Sequence, residues 1–397
     1  MNRIELALTD VLTAVVDNRG RSCPTVSSGF PLIATNCVKD DRLYPTFDNV
    51  RYIDEDTYTN WFRGHPEPGD ILFVCKGSPG RVALVPDPVG FAIAQDMLSL
   101  RANAQVVDNR YLFYVLRSRD VRDKIVNMHV GTMIPHFKKG DFGKLRFTIH
   151  TSLDEQRSIA GVLGALDDKI ATNAKVASSA FGLAGALAVG VQARSGNREV
   201  LGAIATTVLG GTPSRERPEF WSDGSVPWLN SGTANADRIL EPTQYITEEA
   251  LELSAAKLMP AGATVIAITG ATLGQVARLE LDAAGNQSLV GAWSDDPAMN
   301  DWLHFAIREA VPELLKRATG AAQQHVNKRD VDGLLLPVPS EDDLLAFHAQ
   351  AGPLLSIAAN ADWESRTLAK LRDTLLPELM SGRLRVKDAE KKIEEVV

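Results

Sequence analysis

Two stretches of the chain place apolar residues at alternating spacings of four and three. In the first, Ile159, Leu163, Leu166, Ile170, Asn173, Ala177, Ala180, Ala184 and Leu187 follow that interval with Asn173 as the polar member, the seam of a paired helix. Ser152-Leu153-Asp154-Glu155 opens it as a capping box, the hydroxyl accepting from a first-turn amide while the carboxylate reaches back. The second stretch carries Leu344, Phe347, Ala351, Leu354, Ala358, Ala361, Ser365 and Leu368, opens at Ser340 with Asp343, and is expected to stop at Pro377, with Gly382 beyond. Each helix is expected to run about 36 residues, or about 54 Å at 1.5 Å per residue. Equal lengths predict an antiparallel pair, the alanines permit close approach, Asn173 is suited to fixing register, and Gly352-Pro353 predicts a kink. Two ordinary amphipathic core helices are the alternative on pattern alone.

Ahead of each helical stretch the same pattern is written twice. Pro68-Gly69-Asp70-Ile71-Leu72-Phe73-Val74-Cys75-Lys76-Gly77-Ser78-Pro79-Gly80-Arg81-Val82-Ala83-Leu84 reappears as Ala261-Gly262-Ala263-Thr264-Val265-Ile266-Ala267-Ile268-Thr269-Gly270-Ala271-Thr272-Leu273-Gly274-Gln275-Val276-Ala277. Both read as strand, glycine loop, strand. Further on, Gly131, His136, Lys139, Asp141 and Leu145 correspond to Gly320, His325, Lys328, Asp330 and Leu334 at an offset of 189. Arg3 and Leu6 fall opposite Arg198 and Leu201 at an offset of 195. An ordered drift of offset is what loop insertions do to a duplicated domain. The expected fold class is α/β, with segments 1–151, 152–190, 191–339 and 340–397 as first domain, central helix, second domain, and C-terminal helix with closing segment.

Composition narrows the class. With 397 residues, 45 % hydrophobic and 23 % charged, the chain is expected to fold with more than one core. Cys23, Cys37 and Cys75 form no C-x-x-C pair, so reduced thiols in a cytosol are expected. Glu5 and Asp10 interrupt the only early apolar stretch, and the uncharged run 176–193 continues the helical seam, so neither a secretory signal nor a membrane span is expected. The net charge of −8 argues against a uniformly basic polyanion binder. It is unevenly spread: 19 basic and 17 acidic residues in 1–150, 12 and 18 in 191–340. Any nucleic-acid surface must be local, and the second domain is an acidic host for one.

No phosphate loop, nucleophile elbow, H-E-x-x-H or dinucleotide fingerprint occurs, and the seven histidines form no i,i+4 pair, so the chain reads as non-catalytic and metal-free. Polar glycine loops remain. Lys76, Ser78 and Arg81 offer cations and a hydroxyl suited to phosphate oxygens and base edges. Thr272 stands in the equivalent second loop; Thr212, Ser214 and Arg215, then Asn230 and Ser231, flank Trp221 and Trp228. The strongest local groups are Lys138, Lys139, Lys144 and Arg146 in the first copy and Gln323, Gln324, Lys328 and Arg329 in the second. Their recurrence at the same place in both repeats is what distinguishes them from solvated charge.

Glu155-Gln156-Arg157-Ser158-Ile159-Ala160, Leu166-Asp167-Asp168-Lys169-Ile170 and Leu375-Leu376-Pro377-Glu378-Leu379-Met380-Ser381-Gly382-Arg383-Leu384 closely resemble the specificity subunit of type I DNA restriction-modification systems. Gly210-Gly211-Thr212-Pro213-Ser214, Pro227-Trp228-Leu229 and Gly131-Thr132-Met133-Ile134-Pro135-His136-Phe137 resemble parts of its target-recognition domains. The resemblance covers essentially the whole chain. It implies two α/β target-recognition domains separated by two antiparallel helices about a pseudo-two-fold axis, each domain reading half of a bipartite double-stranded DNA site. The helices would act as a ruler for the gap and as the docking surface for two modification methyltransferase subunits, with Ile159, Leu163, Leu166, Ile170, Asn173, Leu344, Phe347, Leu354 and Leu368 as spacer and docking residues. S-adenosylmethionine, ATP and Mg would belong to those and to the restriction endonuclease subunits, none to this chain. Gln324 aligns with a glutamine common in such domains, whereas Pro135 takes that place in the first copy. A duplicated coiled-coil protein scaffold that does not bind DNA is the rival reading; it leaves the polar loops unexplained. A fused enzyme acting alone would need a catalytic motif.

Overall fold

In the computed structural model, residues 2–18, 22–128, 135–319 and 324–395 are described. Gly131, Thr132, Met133, Ile134, Gly320 and Gln323, all singled out in the sequence, lie outside them. The chain forms two compact units, one of Met1–Thr172 with Glu364–Val397 and one of Asn173–Trp363.

In the first unit, β1 (Arg3–Ala7), β2 (Leu12–Val16), β3 (Phe30–Ile33), β4 (Arg51–Ile53), α1 (Glu55–Asn60), β5 (Ile71–Val74), β6 (Val82–Leu84), β7 (Ala92–Ile93), β8 (Met97–Ala102), α2 (Asn109–Arg117), α3 (Arg119–Met128) and β9 (Arg146–His150) lead into α4 (Leu153–Arg194). Its sheets have the orders β2-β8-β5-β6, β4-β3-β7 and β1-β9. The uninterrupted apolar run of β5 follows from burial on both faces: Ile71 and Phe73 enter the cluster with α2 and α3, while Leu72 and Val74 enter the one with Ile33, Phe91 and Ile93. Asp108 caps α2 by accepting from Tyr111 N at 2.9 Å.

The second unit repeats this plan. After β10 (Asn197–Val200), α5 (Leu201–Ile204), β11 (Thr206–Leu209), β12 (Val226–Leu229), β13 (Arg238–Ile239), β14 (Gln244–Ile246), α6 (Glu248–Leu253), β15 (Leu258–Met259), β16 (Thr264–Ala267), β17 (Val276–Leu279), β18 (Ala283–Gly285), β19 (Leu289–Trp293), α7 (Pro297–Leu315), α8 (Lys328–Asp332) and β20 (Leu335–Val338) comes α9 (Glu341–Met380), then α10 (Val386–Glu394). The orders β11-β19-β16-β17 and β14-β12-β18 reproduce those of the first unit, with β13 and β15 added at edges. The strand-loop-strand expectation is met by β5/β6 and β16/β17. Both equivalences at the chain starts are corrected: Arg198 pairs with Pro337 as Glu5 pairs with Thr148, so Arg198 matches Glu5 and not Arg3. Leu8 N donates to Leu145 O and Leu201 N to Leu334 O, so Leu201 matches Leu8, at an offset of 193, and not Leu6. The short spacing of apolar residues at both chain starts permits either alignment, and only the ladder decides.

Both long helices exceed the expected length, at 42 residues for α4 and 40 for α9. α9 passes through Gly352-Pro353 and through Pro377, where a stop was expected. Proline fits helical φ and costs one backbone bond; Leu375 and Leu379 on either side of Pro377 are buried in the first unit's core and hold the turn. The end comes at Gly382, which takes φ +70°. Each long helix is divided between the units, α4 after Thr172 and α9 after Trp363. Ile159, Leu163 and Leu166 pack with Leu368, Leu375 and Leu379 in the first unit. Ala177, Ala180, Phe181 and Ala184 pack with Leu344, Phe347 and Ala351 in the second. By length and composition α4 could cross a membrane; 33 % of its most apolar window is buried, and Ala177, Ala180, Phe181 and Ala184 on it belong to the second unit's core.

The two halves of the seam differ in chemistry. In the first unit, Asp167 is 2 % exposed and accepts from Tyr114 Oη at 2.7 Å and Arg372 Nη1 at 2.5 Å, with Arg117 Nη1 at 3.5 Å. Arg110 clamps Asp168 from α2, and Lys169 pairs with Glu364 at 3.1 Å. In the second unit the seam is alanine and phenylalanine, closed at its end by Arg194 and Asp343. Beside it, Glu280 is largely but not fully buried next to Arg278, its side chain 12 % exposed, and that burial pushes its carboxyl up to about 7.

Candidate nucleic-acid interface

A glycine loop follows the buried central strand of each unit, and one backbone arrangement holds both loops. In the first unit, Gly77 N donates to Pro135 O at 3.0 Å and Phe137 N to Cys75 O at 2.9 Å, so Lys76 and His136 form a β-bridge. In the second, Gly270 N donates to Gln324 O at 3.1 Å and Val326 N to Ile268 O at 3.0 Å, bridging Thr269 to His325. The recurrent histidines are therefore bridge positions; the polar segments flanking them are tied to the loops across about 55 residues of chain. Positive φ at Gly77 and Gly80 (+85° and +89°), and at Gly270 and Gly274 (+66° and +83°), requires glycine at the turns.

The first unit's loop opens on a cleft lined by Gly77, Ser78, Gly80, Arg81, Arg122 and Pro135. Lys76 and Lys138 are exposed and make no ion pair within the described residues. The other expected cations are engaged. Arg81 lies 3.5 Å from Asp40, which also pairs with Arg122; Lys139 lies 3.7 Å from Asp17. Lys144 donates to Asp141, which holds its ammonium above the ordinary value, and Arg146 reaches Glu5 across the β1-β9 ladder at 3.1 Å. The structure does not group these as one free basic patch: Lys76, Lys138 and the half-compensated Arg81 flank the loop, while Lys144 and Arg146 are held in local pairs. Arg122, on α3, is a cleft residue that sequence spacing did not reveal, because the loop and α3 are over 40 residues apart.

In the second unit, Gln324 and Arg329 are exposed, and Thr272 Oγ1 turns inward to Thr269 O at 3.2 Å. Lys328 is consumed: its Nζ donates to Thr207 at 2.6 Å and to Asp332 at 2.8 Å. The aromatic-flanked segment is partly structural too. A Cβ on Gly210 would sit 2.2 Å from Asn286 O, and one on Gly211 2.4 Å from the Ala255 carbonyl carbon, so these glycines serve close packing. Asn230 accepts from Gly232 N as the cap of the turn that begins at Ser231. Exposed there are Thr212, bonded to Gln287 at 2.6 Å, Ser214, and Arg215, whose guanidinium lies 3.4 Å over the Trp221 ring and bonds Gln244 at 2.7 Å. That stack presents a cation of fixed orientation.

The seam residues expected to dock partners are turned inward. Ile159, Leu163, Leu166, Asn173, Leu344, Phe347 and Leu368 are at most 7 % exposed, and Ile170 and Leu354 pack against the same clusters. They pair the helices. Large apolar side chains left outward on the same helices are Val176, Leu183, Val189, Leu345, Ile357 and Trp363, each at least 40 % exposed.

Residues 31–178 match the family model described as type I restriction modification DNA specificity domain. A type I restriction enzyme specificity subunit of Escherichia coli is 28 % identical over 147 residues, 36 % of each chain. Another, from Methanocaldococcus jannaschii, is 21 % identical over 348 residues, 81 % of this chain and 78 % of the relative. Among solved structures, the S subunit of a type I restriction-modification system from M. genitalium shares the fold at a TM-score of 0.59 and 15 % identity, covering 96 % of both chains.

Proposed function

The chain belongs to the specificity subunits of type I restriction-modification systems, and from that premise we propose that it reads a bipartite DNA target, one half-site per unit. The observation that carries this reading is the glycine loop built twice, each time bridged to a polar segment by the same backbone bonds. One such loop is a turn; two in one chain, on duplicated sheets, are suited to two half-sites. Lys76, Lys138 and Arg81 would position phosphates, and exposed amide and hydroxyl groups would meet base edges.

The chain itself does no chemistry in this proposal. Outward faces of α4 and α9, with Val176, Leu183 and Ile357, would dock two modification subunits, which bring S-adenosylmethionine and flip an adenine for methylation; restriction subunits would supply ATP and Mg chemistry. The test is a map of methylated adenines in cells producing this chain with its modification subunits. A motif split by an unspecified gap is expected; a continuous motif, or no methylation dependent on this chain, contradicts the proposal.

A further inference from the structure

The two loops match in backbone and differ in chemistry. Val74 N donates to Arg81 O and Gly80 N to Val74 O; Ala267 N donates to Gln275 O and Gly274 N to Ala267 O. Gln275 therefore stands where Arg81 stands. The bridge bonds put Gln324 in the place of Pro135, Thr269 in that of Lys76, and Asn327 in that of Lys138. Each free or half-free cation of the first unit has a neutral counterpart in the second, and the one cation retained, Lys328 for Lys139, is bound to Asp332 and Thr207.

Arg81 and Pro135 line one cleft, so their counterparts Gln275 and Gln324 flank the corresponding place in the second unit. Both are exposed, and neither side-chain amide makes a hydrogen bond within the described residues. A glutamine amide holds a donor and an acceptor side by side, the complement of adenine N7 and N6 in the major groove. A lysine offers donors alone and suits phosphate. We infer that the two units differ in what this loop does: in the first its cations hold the phosphate backbone and leave base reading to other groups of that unit, and in the second Gln275 and Gln324 themselves read an adenine-thymine pair. The inference rests on the DNA-reading function proposed above and adds which half-site contains that pair and which residues select it.

The assembled complex of full chain and modification subunits is used to select from a duplex library with a randomised stretch, at several salt concentrations. A split motif is expected, with an adenine-thymine pair in the half read by the second unit whose selection depends on Gln275 and Gln324. Gln275→Ala or Gln324→Ala should flatten preference at such a pair by about tenfold or more, leaving the other half and the salt slope unchanged. Gln275→Glu, which keeps the shape and offers acceptors alone, should move preference toward cytosine. Lys76→Gln and Lys138→Gln should keep the motif and lower the slope of log K against log salt by about 0.9 for each phosphate no longer neutralised. Glutamine variants that leave the motif intact, or that change only the slope, overturn the inference while the DNA-reading function stands. Failure of the unaltered complex to enrich any sequence overturns that function and the inference with it.

Discussion

Replacing Asp167 by alanine should open the first unit's helical seam. Asp167 accepts from Tyr114, Arg372 and Arg117, and the two arginines are no more than 8 % exposed. Without it, Arg372 retains, among the described residues, only the exposed Asp373 at 2.8 Å, and Arg117, whose guanidinium pKa burial already lowers, keeps the Asp40 carbonyl at 2.5 Å. An uncompensated buried charge costs about 3–5 kcal/mol, and the lost Tyr114 hydrogen bond adds about 1 kcal/mol. At about 1.4 kcal/mol per factor of ten, native-state hydrogen exchange should show amides of α2, of 153–166 and of 368–379 losing protection by at least roughly 100-fold. Amides of β16 and β19 in the second unit are the internal control. Asp167→Asn, which keeps the size and an acceptor for Tyr114, should retain most of the loss, because charge is the larger part. A loss below tenfold in both variants would refute the claim that this carboxylate locks the seam.

Glu280 has its folded pKa raised to about 7 by burial, so it binds its proton more tightly folded than unfolded: its contribution is full below the unfolded value near 4.5 and is lost as pH rises to about 7. Denaturation of Glu280→Gln should therefore show the second unit more stable than the parent at pH 8, by on the order of 3 kcal/mol, and nearly equal at pH 4. His304, fully buried and lowered to about 3, has the opposite sense: stability present above pH 6.5 declines below it, and His304→Phe should flatten that acid limb in the same titration. Gly211→Ala should cost more than about 2 kcal/mol in urea denaturation, because the added carbon meets the Ala255 backbone and no side chain can move aside.

The sequence made the duplication and the helices legible because both rest on periodicity, and periodicity survives without contacts. The four-three spacing located α4 and α9 to within a few residues at their starts, since Ser152 and Ser340 accept from first-turn amides. It could not show that Pro377 sits inside a helix, which depends on Leu375 and Leu379 being buried in the first unit's core. Charge was the least legible feature. Lys139, Lys144, Arg146 and Lys328 read as a basic group in the sequence, yet each has an acidic partner, and Asp17 and Glu5 are more than 100 residues away from theirs. Gln275 was hidden for another reason: the second loop is one residue longer, which moves Gln275 out of line with Arg81 until the backbone bonds are compared.

Two independent readers on one chain are the centre of the account, and an exchange of domains tests that most directly. Residues 200–335 are replaced by the equivalent domain of a related subunit, the modification subunits are left unaltered, and methylated adenines are mapped in the cells that carry the hybrid. One half of the methylated motif should change to that of the donor, with the other half and the methylation itself retained; a few base contacts of about 1–3 kcal/mol each suffice to redirect it. If both halves changed together, or if neither did, the two units would not be separate readers and the account would be wrong.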